Sequence, residues 1–185
     1  MGYYYSGSYG GRGWNASYGG PTYGSTNYPV QAGSGGAGSA GAGGGLICIQ
    51  ADLGTVRVDG TLNADGTTTA SWCSGGGSGG GIFIACRSFA GVGTLQANGG
   101  GHGEYGGGGG GGRIAVWYNV PPGTMYDQIV RNDISIMPLV IVSTNPAVTQ
   151  FQGAVSVAGG DSSGDPGTIV FLTVNCDKGA VFTFY

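Results

Sequence analysis

Three stretches of this 185-residue chain repeat one word, a glycine triplet followed by an apolar run. They read GGGLICIQ at 43–50, GGGIFIAC at 79–86 and GGGRIAVW at 110–117, and GTIVFLT at 167–173 is a looser fourth copy. A second word alternates with the first: GTLNADG at 60–66, GTLQANG at 93–99 and GAVSVAG at 153–159. The first two copies of the first word start 36 residues apart and those of the second 33 apart. A unit of that size cannot bury its apolar side alone, so recurrence at this spacing requires that neighbouring copies pack on one another.

Both words read as strands. Thr55-Val-Arg-Val-Asp59 alternates apolar and polar residues, as a half-buried strand does, and Leu46-Ile-Cys-Ile49 is apolar throughout, as a strand covered on both faces is. Asp-Gly or Asn-Gly pairs at 59–60, 65–66 and 98–99 supply turns. No window carries a capped amphipathic helix. The expected fold is all-β and single-domain: a glycine-rich parallel β-helix, or solenoid, with an aromatic N-terminal segment and a Pro-punctuated excursion at 119–150. The parts are 1–45, a Gly/Tyr-rich cap or assembly segment; 46–118, the solenoid repeats; 119–150, an inserted loop or hairpin; and 151–185, a closing repeat and C-terminal strand. Aligning the glycine triplets sets Leu46 beside Ile82 and the stem of Arg113, Ile47 beside Phe83 and Ile114, and Cys48 beside Ile84 and Ala115. In the excursion, Ile134 to Met137 and Leu139 to Ser143 form an edge hairpin or a lobe.

The non-glycine words SYGGRG at 8–13, PTYGS at 21–25, GSGG at 33–36, GGGSGGGI at 75–82, GTLQANGG at 93–100 and the stretch 106–116 resemble the glycine-rich right-handed parallel β-helix modules of giant bacterial surface or secreted proteins, and related ciliate and plant proteins. GAVSVAGG at 153–160 and GDPGTI at 164–169 resemble that family's closing repeat. The resemblance implies a pectin-lyase-like solenoid serving as a surface stalk, without assigned catalysis. The chain departs from the family in its aromatic-rich start.

Composition narrows the chemistry. Glycine supplies 45 residues and charged residues only 8%, with 40% hydrophobic, so the chain lacks the charge-rich, apolar-poor make-up of disorder. Net charge is −3, and the six basic residues are scattered; a nucleic-acid partner and a membrane surface both need a clustered basic patch. No apolar run is long enough to span a bilayer. The seven glycines at 106–112 lead into Arg113-Ile114 and a strand, whereas a phosphate loop needs Gly-Lys-Ser/Thr and a helix. They read instead as a packed corner of the fold.

No constellation commits the chain to catalysis, and no cofactor is expected. The single histidine, His102, near Glu104, reads as a solvated loop residue. Asp52, Asp59 and Asp65 near Arg57 or Arg87 are the nearest approach to a polysaccharide lyase's charged cluster. Asp161 and Asp165 flank hydroxyls in a turn and form a weak calcium candidate, with a plain turn the simpler reading. Cys48, Cys73, Cys86 and Cys176 are disulfide candidates, and Asn15 heads a glycosylation sequon. The expected function is a non-enzymatic, extracellular or cell-surface structural protein that assembles with itself head to tail into a filament or stalk. Its assembly residues are Tyr3, Tyr4, Tyr5, Tyr9, Val181, Phe182, Phe184 and Tyr185, in apolar aromatic termini. The alternative is an adhesin or carbohydrate-binding module that uses exposed aromatics such as Trp14, Trp72 and Trp117 on surface glycans; a lyase-like enzyme ranks third.

Overall fold

The structure, a computed structural model, describes residues 5–14, 19–120, 140–143, 149–161 and 163–174. Nine strands and no helix lie among them: β1 (Leu46–Arg57), β2 (Thr61–Asn63), β3 (Gly81–Gly91), β4 (Thr94–Gln96), β5 (Arg113–Tyr118), β6 (Val140–Ser143), β7 (Gln150–Phe151), β8 (Ala154–Ser156) and β9 (Thr168–Val174). The first repeated word supplies the front of β1, β3, β5 and β9, and the second supplies β2, β4 and β8.

The large sheet runs β1-β3-β5-β9-β6, with β7 beside β3, and the small sheet runs β2-β4-β8. Every pairing is parallel except that of β6, which lies antiparallel to β9. The expected parallel β-helix is therefore corrected. The chain forms two open sheets of unequal length, one of them mixed, and they close into neither a barrel nor a solenoid. It is a parallel-sheet arrangement in which both faces of the central strands β3 and β5 are buried, as in α/β proteins. Here the covers are not helices. The small sheet covers one face and the segment around Tyr28 covers part of the other.

The small sheet pairs in the register of the repeated words, with Thr61 beside Thr94 and Ala154, and Leu62 beside Leu95 and Val155. In the large sheet the expected alignment holds between β1 and β5 but is one residue out at β3. Leu46 pairs with Gly81, which pairs with Arg113. Ile47, Ile82, Ile114 and Ile169 then stand in one column, and Ile49, Ile84, Val116 and Phe171 in another. A one-residue slip turns every side chain to the opposite face, so burial decides against the glycine count. Both columns point into the core between the sheets, with Leu95, Ala97, Phe89 and Phe151. Each fully buried side chain of this kind contributes about 2 kcal/mol through apolar area removed from water. The opposite face carries Phe83, Ala85, Ala115, Trp117, Val170 and Leu172, packed against Tyr28.

The remaining glycines build a second kind of packing. Segment 74–80 lies in no strand, yet it is bonded to neighbours on many sides. Gly7 N donates to Gly76 O, Ser78 N to Ser34 O, Gly44 N to Ser78 O, Gly77 N to Thr67 O, Gly100 N to Gly77 O, and Gly79 N to Gly110 O. A sheet bonds a chain on two sides only; this array bonds it all round. That needs backbones closer than any side chain permits, which glycine allows at an entropic cost. The run at 106–112 is buried throughout and belongs to the array: Gly109 donates to Gly100 O and accepts from Gly160 N. It is a packed segment rather than a linker. In the N-terminal part, Gly10 and Gly11 both donate to Gly111 O, and Trp14 N donates to Gly108 O. Residues 5–14 thus run inside the glycine array.

Candidate functional site

The arms of the glycine array are joined by turns, and each turn holds a left-handed residue. These are Gly38 (φ 85°), Cys73 (φ 55°), Tyr105 (φ 60°) and Asp161 (φ 48°). The last three carry side chains that disfavour this conformation, so the surroundings must hold them there. The turns are tied to one another. Thr69 Oγ1 donates to Ser39 O at 2.9 Å, Cys73 N to Glu104 O at 2.8 Å, and His102 N to Asp161 Oδ2 at 2.9 Å. The result is a row of turns along one margin of the molecule.

Two large aromatics stand out from that row. Trp72 is 72% exposed and Tyr105 69%, with ring centroids 6.1 Å apart and planes inclined at 58°. Their neighbours along the chain are polar or small: Ser71 and Cys73 beside Trp72, and Glu104 and Gly106 beside Tyr105. Among the described residues the exposed large aliphatics lie elsewhere, with Val30 in the N-terminal part, Leu46 and Leu53 on β1, and Val92 just past β3. The backbone carbonyl of Tyr5, whose side chain is 60% exposed, lies against Gly75, and the half-buried Trp14 side chain lies against Gly107, both beside the same row. Position 105 follows position 72 by 33 residues, the repeat spacing of the second word. That was the signal in the sequence, and reading the tryptophans one at a time missed it.

The other candidate residues are dispersed. Tyr9 is fully buried and Tyr5 exposed; Tyr3, Tyr4, Val181, Phe182, Phe184 and Tyr185 lie outside the described residues, as do Asn15 and Cys176. Trp117 is core rather than surface: its Nε1 donates to Asn27 O at 2.7 Å, and its ring meets Phe83 edge-on at 5.5 Å. Cys48, Cys73 and Cys86 are free thiols. Cys48 shares a face with Phe83, whereas Cys86 points into the core on the opposite face, so no bond can join them across the sheet.

Asp161 and Asp165 are held in different ways. The Asp161 carboxylate takes the His102 backbone N–H, and Asp165 is held through its backbone by Arg12 O and Gly111 N. Among the described residues, no three His, Cys, Asp or Glu side chains gather to hold a metal. His102 Nδ1 lies 2.6 Å from Gly103 O, and its Nε2 lies 3.7 Å from Asp161 Oδ2, so its ring faces Asp161 rather than Glu104. Asp59 pairs with Arg57 at the surface, and Asp65 accepts from Gln96 Nε2 and Asn98 N. These carboxylates tie neighbouring repeats together instead of facing a shared cleft.

One buried charge was not foreseen. Arg113 is only 5% exposed. Its Nε donates to Tyr23 O at 3.0 Å, and its Nη1 to Thr26 Oγ1 at 2.9 Å and Thr168 Oγ1 at 3.1 Å. Burial lowers its pKa, and the adjacent Tyr9 acts in the opposite direction. No helix among the described residues is long and apolar enough to cross a membrane. Set against family models, curated proteins and solved structures, the chain matches none.

Proposed function

We propose that this is a non-enzymatic structural protein of an extracellular or cell-surface setting, whose copies join end to end through the open margins of its sheets. One observation carries the reading: among the described residues the core is left partly open at both ends of the stack, with β6 covering β9 only from Phe171 to Val174. At one end, Ile47, Ile49, Ala51 and Leu62 are only partly buried against the core; at the other, Val155 and Ile169 are. Equivalent positions in the middle, Ile82, Ile84, Leu95 and Ile114, are fully buried. A second copy seated on the stack would bury the end residues in the same way.

The backbone favours the same contact. β1 and β2 are edge strands, and among the described residues no segment pairs with their outer sides. Such edges template further pairing unless charge, proline or irregularity blunts them. In β1 a register shift between Ala51 and Thr55 interrupts the ladder, which leaves the front of the strand as the longer free stretch. In the small sheet, β8 continues the positions of β2 and β4, so β8 of one copy offers β2 of the next a matching partner. A contact between unlike ends repeats without closing and yields a filament. The extracellular setting rests on low charge and Gly/Tyr content alone.

The test is sedimentation and negative-stain microscopy over rising concentration, comparing the wild type with Gln50→Lys/Leu53→Lys. Both positions are exposed, so the fold tolerates lysine there. End-to-end particles that the double variant abolishes are the expected result. A wild type that stays monomeric at high concentration, or filaments indifferent to the charges, sinks the proposal.

A further inference from the structure

We infer that Trp72 and Tyr105 form a binding platform for a neutral polysaccharide. Four features of the site lead there. First, two wide rings are about 70% exposed, whereas Tyr9, Phe83, Phe89, Trp117, Phe151 and Phe171 are buried. Second, the backbone that carries the rings is held in place. Their backbones lie in or beside left-handed turns, at Cys73 and Tyr105, that are cross-linked by the Cys73 N to Glu104 O bond and by Gly103 N to Ser74 O. A rigid ring with few free torsions loses little entropy when it is covered.

Third, the surroundings select the ligand. A protein-binding patch mixes aromatic with aliphatic side chains around a dry centre. Beside this pair in the chain stand the exposed Ser71 and Glu104, while the exposed large aliphatics among the described residues, Val30, Leu46, Leu53 and Val92, lie on other segments. Exposed flat rings beside the Ser71 hydroxyl and the Glu104 carboxylate match a pyranose, whose C–H face stacks on a ring while its rim hydroxyls form hydrogen bonds. Fourth, the charge excludes one class of sugar. Glu104 adjoins Tyr105, and Asp161 lies in the neighbouring turn. Uronate or sialate polymers would be repelled, which leaves neutral hexose and N-acetylhexosamine polymers.

The inclination of 58° between the rings means that one flat sugar cannot lie on both. The two rings would take successive residues of a chain that turns between them, and Tyr5 and Trp14 farther along the row extend the surface. The ligand is therefore a polymer or long oligosaccharide rather than a monosaccharide. This reading stands apart from end-to-end assembly, because the platform lies on the row of turns and not on β1 or β2.

The experiment uses the full chain with Gln50→Lys/Leu53→Lys, so that assembly does not supply avidity. Affinity electrophoresis through gels containing soluble β-glucan, glycol chitin, mannan or polygalacturonate reads binding, and tryptophan fluorescence titration with oligosaccharides reads affinity. Retardation by at least one neutral polymer and by no polygalacturonate is expected. Trp72→Ala should weaken that binding at least tenfold and Tyr105→Ala severalfold, with Trp72→Phe intermediate, while unfolding midpoints stay unchanged. Absence of retardation in every neutral gel overturns the inference. So does retardation that survives Trp72→Ala/Tyr105→Ala, or retardation by polygalacturonate alone.

Discussion

The guanidinium carbon of Arg113 lies 5.4 Å from the centre of the Tyr9 ring, a contact between residues 104 apart in sequence. The same side chain donates to Tyr23 O, Thr26 Oγ1 and Thr168 Oγ1. It therefore fastens the N-terminal segment to β5 and β9. Among the described residues no carboxylate pairs with it. Its charge is balanced by neutral acceptors and by the ring face.

Arg113→Ala should cost about 3 kcal/mol, because it strands several acceptors and leaves a space beside Tyr9. Arg113→Lys should recover only part of this, since an ammonium cannot reproduce the fork that spans Tyr23, Thr26 and Thr168. Urea unfolding checks both. A lysine variant as stable as the wild type would show that charge alone, and not the fork, holds the N-terminal segment.

The glycine array makes a second prediction, and a matched pair of alanine substitutions isolates it. A Cβ on Gly109 would collide with the carbonyl of Gly77, a backbone atom that cannot swing aside. A Cβ on Gly60 meets nothing within 4 Å. Gly109→Ala should cost more than about 3 kcal/mol or prevent folding, whereas Gly60→Ala should stay within about 0.5 kcal/mol of the wild type. Equal effects at the two sites, read from thermal and urea midpoints, would show that the run is not packed from all sides.

These positions also mark how far the sequence could be read. Repeated words revealed which strands pair, because Thr61-Leu62-Asn63 and Thr94-Leu95-Gln96 are near-copies and near-copies stack. The register at β3 escaped, since a glycine triplet has no side chain to say where the strand begins. Gly81 belongs to β3, and only burial of Ile82 and Ile84 reveals it. The solenoid expectation failed for a related reason. Glycine words before each strand look like wall strands of a closed helix, but without side chains their backbones are free to bond in several directions. Nothing in the letters distinguishes that array from a sheet. The Trp72–Tyr105 pair was legible in the spacing, yet its exposure was not, because burial depends on where the turns fall.

The burial of Cys86 predicts how stability responds to alkali. Its thiol is fully buried in the core, with Sγ 3.7 Å from Trp117 O, and burial pushes its pKa from 9.0 to about 11. The Tyr9 phenol is also raised, chiefly by burial, against the pull of the Gln31 backbone and the Arg113 charge. Both groups are neutral when protonated, and the folded state holds those protons more tightly than the unfolded one. The stability they contribute is fully present below the unfolded values and falls as pH rises through the window up to the folded ones. Between about pH 9 and pH 11 the thiol alone should remove about 2 kcal/mol. Cys86→Ala should lower stability near neutral pH by about 1 kcal/mol through lost packing, and it should also flatten the decline above pH 9. Urea midpoints from pH 7 to pH 11 check this. Parallel profiles for variant and wild type would place the alkaline loss elsewhere, with Tyr9 the next buried group among the described residues on which to test it by Tyr9→Phe.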